Sequence, residues 1–175
     1  MYLEEIETDR LHLIALPRAQ LARYLDDAEQ LEQELGVAVS RAIVTRPLRR
    51  AIEMKLAKMD AAPEADHPWC TYWLAVVRDA GYGAGLLGFK GTPDETGAVE
   101  IGYGIDPAYE GRGYTTEAAR ALIDWAFQAP ACRTVTAEGV RRDNAGSNRV
   151  LEKLGMKVYA ETEDTRSWRI ELVAS

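Results

Sequence analysis

The residues whose types and spacing could do chemistry sit together at Glu110-Gly111-Arg112-Gly113-Tyr114-Thr115-Thr116. Glycines at 111 and 113 let the backbone approach a ligand with no Cβ in the way, and Arg112 adds a fixed positive charge. Thr115 and Thr116 can cap a helix or donate a hydroxyl. If a helix begins here, its first N–H groups have no partner inside it and its dipole is positive at that end. Such a turn suits an anion, and phosphate above all. The same letters also read as an ordinary glycine-bearing connection. A P-loop is excluded, because the chain has no glycine-lysine pair. A dinucleotide fingerprint, Gly111-x-Gly113-x-x-Thr116, would put threonine where helix packing needs glycine or alanine.

The flanking residues supply the elements that must hold this turn. Val99, Ile101, Tyr103 and Ile105 alternate with Glu100, Gly102 and Gly104, the period of a strand, and Asp106-Pro107 ends the ladder because proline has no N–H to donate. From Thr115 to Phe127, Ala119, Leu122, Ile123 and Ala126 recur at helical spacing and define one buried stripe. The order is therefore strand, glycine turn, helix.

Upstream, Leu11 and Leu13 mark a first strand. Pro17 opens a helical stretch with Leu21, Leu25, Ala28, Leu31 and Leu35, which Gly36 ends. A second helix is expected from Pro47 to Met59, with Leu48, Ile52, Leu56 and Met59 on one face. Arg46, Arg49, Arg50, Lys55 and Lys58 are read as a solvated face. Ala61 to Pro68 reads as a loop, and Tyr72–Arg78 and Gly85–Gly91 as a hairpin that the Val99 strand extends. Thr134 to Val140 reads as a strand parallel to the Val99 strand, reached by a helical crossover. A short helix over Asn144–Lys153, closed by Gly155, and a hairpin of Lys157–Glu163 with Ser167–Val173 complete the chain. His12 and His67 are too far apart in sequence to suggest a ligand pair.

With 175 residues, 47% of them hydrophobic, the chain 1–175 is expected to form one domain able to bury about two-thirds of its unfolded surface without disulfides. A net charge of −7 argues against a nucleic-acid partner and is compatible with a cationic amine as substrate. Cys70 and Cys132 lack metal-site spacing, and Met1-Tyr2-Leu3-Glu4-Glu5 has neither the positive start nor the apolar run of a signal peptide. No apolar stretch approaches the roughly 20 residues of a membrane span. The expectation is a soluble cytoplasmic protein, monomer or homodimer, with no metal, membrane or nucleic-acid partner.

The glycine turn, spelled Pro107-Ala-Tyr-Glu-Gly-Arg-Gly-Tyr-Thr-Thr-Glu-Ala118, resembles the Gln/Arg-x-x-Gly-x-Gly/Ala signature of the Gcn5-related N-acetyltransferases (GNAT), in the branch that includes the ribosomal-protein N-terminal acetyltransferases. Thr8-Asp9-Arg10-Leu11-His12-Leu13 resembles that branch's opening strand. Asn144-Ala-Gly-Ser147 and Leu154-Gly155-Met156 resemble its Asn-x-x-Ser and Leu-Gly-Phe/Met segments. Two departures lie in the turn: Glu110 stands at the Gln/Arg position and Thr115 at the Gly/Ala position.

The resemblance implies an α+β, three-layer α/β/α acyl-CoA N-acyltransferase fold, with a mixed, mostly antiparallel sheet in which one parallel strand pair splays at a bulge. Acetyl-CoA would lie in that splay as cosubstrate and an amine would be the acceptor. Arg112, Gly113, Tyr114, Thr115 and Thr116 would hold the diphosphate, the backbone N–H near Ile105 would polarise the thioester carbonyl, Asn144 would touch the pantetheine arm, and Arg149 would reach the phosphates. Glu100 matches the family's glutamate general base; it also reads as a strand glutamate facing water or a nearby cation. The family's tyrosine acid is missing, its position being Leu151. Ser147 resembles the serine near the sulfur and also reads as a helix-capping serine. Two rival functions follow: an acyl-CoA sensor without catalysis, suggested by Glu110 and Leu151, and a nucleotide-binding domain using Gly111-x-Gly113.

Overall fold

The computed structural model describes residues 3–174, so Met1 and Tyr2, read above as part of a leaderless start, lie outside the described residues with Ser175. The strands are β1 (Glu5–Glu7), β2 (Leu11–Ala15), β3 (Ala38–Val39), β4 (Trp73–Val77), β5 (Tyr82–Phe89), β6 (Ala98–Ile105), β7 (Thr134–Arg141), β8 (Lys157–Glu161) and β9 (Thr165–Glu171). They form a sheet ordered β1-β2-β4-β5-β6-β7-β9-β8, with β3 set beside β5. Leu11, Leu13 and Ala15 pack into one apolar cluster and Ile14 into another, so the sheet is covered on both sides. The first cluster takes Ala118, Ala119, Leu122, Ile123 and Ala126 of α5 (Tyr114–Phe127) and Leu151 of α6 (Ala145–Lys153). The second takes Leu21, Tyr24, Leu31, Ile52 and Met59 from α1 (Arg18–Asp26), α2 (Ala28–Leu35) and α3 (Arg46–Ala61). These are the three layers of the expected α+β fold.

Several elements differ from the sequence pattern. The single helix expected between Pro17 and Gly36 is two, because Asp27 breaks it at φ −150°, ψ 68° and its carboxylate then accepts from the Gln30 N–H at 3.1 Å, starting α2. Within the expected Ala61–Pro68 loop lie the end of α3, a 3₁₀ turn over Glu64–Asp66 and the start of the one-turn helix α4 (His67–Cys70). β1 and β3 were not legible. They are short, and β3 adds a second parallel contact, to β5.

Lys55 corrects the solvated face expected of α3. Ile52, Lys55 and Met59 follow at i, i+3 and i+7, so the lysine lies in the buried stripe and is only 7% exposed. Its Nζ donates to the Phe89 carbonyl at 2.6 Å and to Cys70 at 3.5 Å, and lies 4.4 Å from the Tyr72 ring centre. Burial, aided by Lys58 and Lys90, brings its pKa from 10.5 down to about 7.

The parallel pair splays as expected. β6 and β7 are joined at Ala98–Thr134, Val99–Val135 and Glu100–Thr136 only, whereas β6 stays paired with β5 from Ile101 to Ile105. The register of β6 against β5 is unbroken, and the bulge lies on β7 instead. Between Ala137 and Val140 two residues oppose one of β9, and Gly139 takes φ 61°. An extra residue bends and twists its strand, carrying β7 away from β6.

Between pH 7 and 10.5 the unfolded chain still holds the Lys55 proton that the folded chain has released, so stability rises with pH across that window; below it the full burial penalty applies. Lys55→Met should therefore stabilise the protein most at pH 7 and below, by at most about 5 kcal/mol at ~1.4 kcal/mol per pKa unit. The gain should fade by about pH 10. Urea melts of both proteins at pH 6, 8 and 10 measure it, and a pH-independent difference would refute the assignment.

Candidate functional site

The turn after β6 is built by its own residues. Asp106 ends the strand and its Oδ1 accepts from the Ala108 N–H at 2.9 Å, starting a 3₁₀ turn over Pro107–Tyr109. Gly111 at φ 73° and Gly113 at φ 81° then take left-handed conformations that favour glycine. Gly113 is the N-cap of α5 and no side chain caps the helix. The helix thus starts at Tyr114, which corrects the expectation for Thr115 and Thr116: both lie in its first turn and neither caps it. Among the described residues, the backbone N–H groups from Gly111 to Thr116 donate no hydrogen bond to the protein. They form a run of open donors at the positive end of a 14-residue helix.

This run is held in place by the opening segment of the chain. Arg10 Nε donates to Glu117 at 2.7 Å, the Arg10 backbone N–H at 2.9 Å and Thr8 Oγ1 at 2.7 Å. Arg10 Nη1 donates to the Arg112 carbonyl at 2.8 Å, and the guanidinium lies 4.4 Å from the Tyr114 ring centre. Burial pushes the Glu117 carboxyl up, but the donors from Thr8 and Arg10 outweigh it and hold the carboxyl below its usual range. Arg112 lies 5.2 Å from the Tyr109 ring centre, and Glu110 is exposed.

The splay exposes backbone. Asp106 N–H donates to Ala84 at 2.7 Å and Lys90 N–H to Glu100 at 3.0 Å, so the even-numbered residues of β6 carry the bonds to β5. The odd-numbered Tyr103 and Ile105 turn their N–H and C=O groups to the other edge, where β7 has left. Ile105 thereby presents the N–H expected of it. Gly102 and Gly104 face the opposite side from Ile101 and Tyr103, and a Cβ on either would meet nothing within 4 Å. Gly85 must be glycine for β5 to approach here, since a Cβ would lie 2.7 Å from the Gly104 carbonyl oxygen. The end of β6 is anchored by Asp106 Oδ2, which accepts from Ser40 Oγ and Tyr82 OH, each at 2.7 Å. Tyr82, the Ala108 N–H and Ser40 together hold the Asp106 carboxyl below its usual range.

Across the splay, Asn144 caps α6, its Oδ1 accepting from the Ser147 N–H at 3.1 Å. The capping role considered for Ser147 therefore belongs to Asn144. The Ser147 hydroxyl instead meets Tyr103 OH at 2.8 Å, joining β6 to α6. Leu151, at the missing tyrosine's position, is fully buried in the core. Arg149 is exposed, whereas Arg141 pairs with Asp143 at 3.1 Å and Arg142 with Glu161 at 3.2 Å. Glu100, at the vertex of the splay, pairs with Lys90 at 2.5 Å. Three residues of strand, roughly 10 Å, separate it from Tyr103. The structure therefore groups Ile105 with the turn and Ser147 with Tyr103, and leaves Glu100 apart.

The model of the acetyltransferase (GNAT) domain family matches residues 18–157. The chain belongs to the GNAT acetyltransferase family. The uncharacterized N-acetyltransferase YjdG of Bacillus subtilis (strain 168) is 36% identical over 96 residues, 55% of this chain and 56% of that protein. The match thus spans about half the length of that relative. The ribosomal-protein-S5-alanine acetyltransferase from Vibrio fischeri shares the fold at TM-score 0.66 and 19% identity, over 96% of each chain. RimL, the ribosomal L7/L12 alpha-N-protein acetyltransferase, in complex with coenzyme A, does so at TM-score 0.68 and 17% identity, over 97% of this chain and 98% of that one.

Sequence reasoning on this GNAT chain missed Arg10, Tyr103, Asp106 and Asn148. Asn148 donates to the carbonyls of Arg141 and Asn144 and accepts from Trp168 Nε1 at 3.3 Å, tying β7, α6 and β9 together. Asp106, beside Pro107, carried a local signal but reads as a strand end, and Arg10 reads only as part of the opening-strand motif. The open N–H run and its glycine cradle suit a diphosphate chemically. Among the described residues no group of three or more His, Cys, Asp or Glu is placed to hold a metal.

Gly113→Val should lose coenzyme A binding by at least about tenfold while still folding, because a branched residue resists the left-handed conformation, and a Cβ there comes within 3.3 Å of Arg10 Nη2. Calorimetric titration with coenzyme A, with circular dichroism as the folding control, measures it. Unchanged affinity would show that the turn is not the phosphate cradle.

Proposed function

We propose that this chain transfers an acetyl group from acetyl-CoA directly to a primary amine, within a ternary complex. The observation that carries this reading is the run of open N–H donors from Gly111 to Thr116, set where the parallel pair has parted. The diphosphate would rest on Arg112, Gly113, Tyr114, Thr115 and Thr116, with Arg149 as an outer cation. The pantetheine arm would follow the free edge of β6 like an added strand, with the Asn144 side-chain amide beside it. The Ile105 N–H would then polarise the thioester carbonyl as negative charge develops on its oxygen.

No acyl-enzyme is required, and both cysteines, Cys70 and Cys132, are buried away from solvent. Deprotonation of the acceptor falls to Glu100 through an intervening water, given its distance along the strand. Neighbours of the same fold are named for acetylating ribosomal proteins, which supports a peptide N-terminus as acceptor ahead of a small-molecule amine. We place residues 1–175 as one acetyltransferase domain acting in the cytoplasm; among the described residues no helix is long and apolar enough to cross a membrane. The Glu100–Lys90 pair favours a second reading, an acyl-CoA sensor whose would-be base is engaged.

Incubation of the protein with labelled acetyl-CoA and a panel of peptides and small amines, read by mass spectrometry, should place the label on a primary amine. Tight coenzyme A binding with every amine unmodified would favour the sensor, and absent binding would overturn both readings. Glu100→Gln should lower kcat about a hundredfold or more with coenzyme A affinity unchanged. An unaltered rate would dismiss Glu100 as the base.

A further inference from the structure

Two bulges flank β9 at one level. On β7, Glu138 and Gly139 together oppose Ser167. On β8, Tyr159 is the extra residue between Val158, which pairs with Trp168, and Ala160, which pairs with Ser167. Extra residues re-aim side chains, and here two of them meet across the width of β9: Tyr159 OH donates to Glu138 Oε1 at 2.5 Å. The Gly139 N–H is satisfied by Ser167 Oγ at 3.1 Å. Partial burial, then the bond and charge of Glu138 and the charge of Glu100, push the Tyr159 phenol up to about 12 against the opposing Arg169. The phenol therefore keeps its proton at neutral pH and acts as a fixed donor, leaving the second Glu138 oxygen for another partner.

This carboxylate stands on the open side of the sheet. Val99, Ile101, Val135, Ala137 and Trp168 pack into the cluster under α5 and α6, so Glu100, Thr136, Glu138 and Arg169 are on the opposite side by alternation. The cluster formed by α1, α2 and α3 on that side takes no residue of β6, β7, β8 or β9, and a Cβ on Gly102 or Gly104 would meet nothing within 4 Å. Because β6 and β7 run parallel and are last paired at Glu100–Thr136, Glu138 lies two residues, roughly 7 Å, beyond Glu100 in the direction of Ile105.

The charges on this side are unevenly matched. Glu100 pairs with Lys90, and Glu171 with Arg169 at 3.4 Å. Among the described residues Glu138 has the phenol and no cation. Arg169 lies 5.3 Å from the Tyr159 ring centre, and Lys157, beside Arg169 on β8, pairs with neither Glu100 nor Glu138. An exposed carboxylate held by a phenol and left without a cation is a receptor for one. That cation is not the reacting amine, which must be neutral to attack. Glu138 is level with Gly102, three residues or roughly 10 Å of strand from the Ile105 N–H. A group that stays charged fits there.

We propose that Glu138, positioned by Tyr159, binds a second positive charge on the acceptor, so that the preferred substrate carries a lysine, arginine or further amine within about 10 Å of the nitrogen that is acetylated. This rests on the acetyltransferase reading above and names the acceptor class for that site. Glu138 touches the substrate, and Tyr159 acts through it.

Peptides identical except for Lys, Ala or Glu at the second residue, and a short diamine beside its monoamine, separate a peptide from a small polyamine as the source of the second charge. In steady-state assays with labelled acetyl-CoA, the dicationic member of at least one set should be preferred about fivefold or more in kcat/KM, chiefly through KM. Glu138→Gln should raise KM for that substrate about fivefold while kcat falls less than twofold, Tyr159→Phe should act in the same direction by a smaller factor, and Glu138→Lys should turn the peptide preference towards Glu. Glu138 and Tyr159 are exposed, so all three variants should keep the parent's melting temperature within a few degrees. No preference in either set, or one that survives Glu138→Gln, would overturn the proposal and leave acetyl transfer standing. A parent that binds coenzyme A but acetylates no amine would overturn the acetyltransferase reading, and the proposal with it.

Discussion

Two adjacent parallel strands that share only three paired positions must leave backbone groups without strand partners, and everything else about the site follows from that. Unpaired N–H and C=O groups are costly when buried, so a sheet normally closes such a gap. Here both lips are fixed from outside. On the β6 side, β5 pairs through Ile105 and the Asp106 carboxylate ties the strand end to Ser40 and Tyr82. On the β7 side, the bulge against β9 turns the strand away and Asn148 holds the Arg141 carbonyl. The gap is thus maintained by bonds that lie beside it, leaving the groups inside it available to a ligand.

The glycine turn obeys the same rule. Exposed ion pairs usually contribute little, and the Arg10–Glu117 pair, with the Arg10 side chain 42% exposed, would be unremarkable alone. Its effect comes from geometry. One guanidinium binds the carboxylate of the helix's first turn and the carbonyl of the residue before Gly113, while stacking on Tyr114. With the Arg112 carbonyl drawn to Arg10, the following N–H groups are left pointing elsewhere. Ordering them before a ligand arrives reduces the entropy lost on binding. The Thr8-Asp9-Arg10 segment, recognisable in the sequence as an opening strand motif, is in space a clamp on a turn about a hundred residues later.

What the sequence made legible was local. The alternation of β6, the Asp106-Pro107 stop, the Gly111 and Gly113 turn and the stripe of α5 each depend on neighbours within a few residues, and each is present. The parallel β6–β7 pair followed from topology. What stayed hidden depends on contacts across the fold. Nothing near Tyr103 announces Ser147, 44 positions away, and nothing near Ser40 announces Asp106, 66 positions away. Lys55 is the instructive exception, because its place in the Ile52–Met59 stripe was arithmetically available and its charge obscured it. Residue type outweighed spacing there, and spacing was the better guide.

Lys55 also bears on what the net charge of −7 can say about an acceptor. Net charge is a sum over the whole surface, whereas a ligand responds to the groups within a Debye length, about 8 Å at physiological salt. At the end of β5, Lys55 donates to the Phe89 carbonyl, Lys58 to the Lys90 carbonyl, and the Lys90 ammonium to Glu100. One lysine, Lys90, therefore pairs with the Glu100 carboxylate while Lys55 and Lys58 hold backbone carbonyls at the end of the same strand. The charge at this edge of the sheet is set by those groups rather than by the acidic total, so the net charge carries no weight there. Burial, with Lys58 and Lys90 nearby, brings Lys55 down to about 7, so the charge at this edge changes across neutral pH.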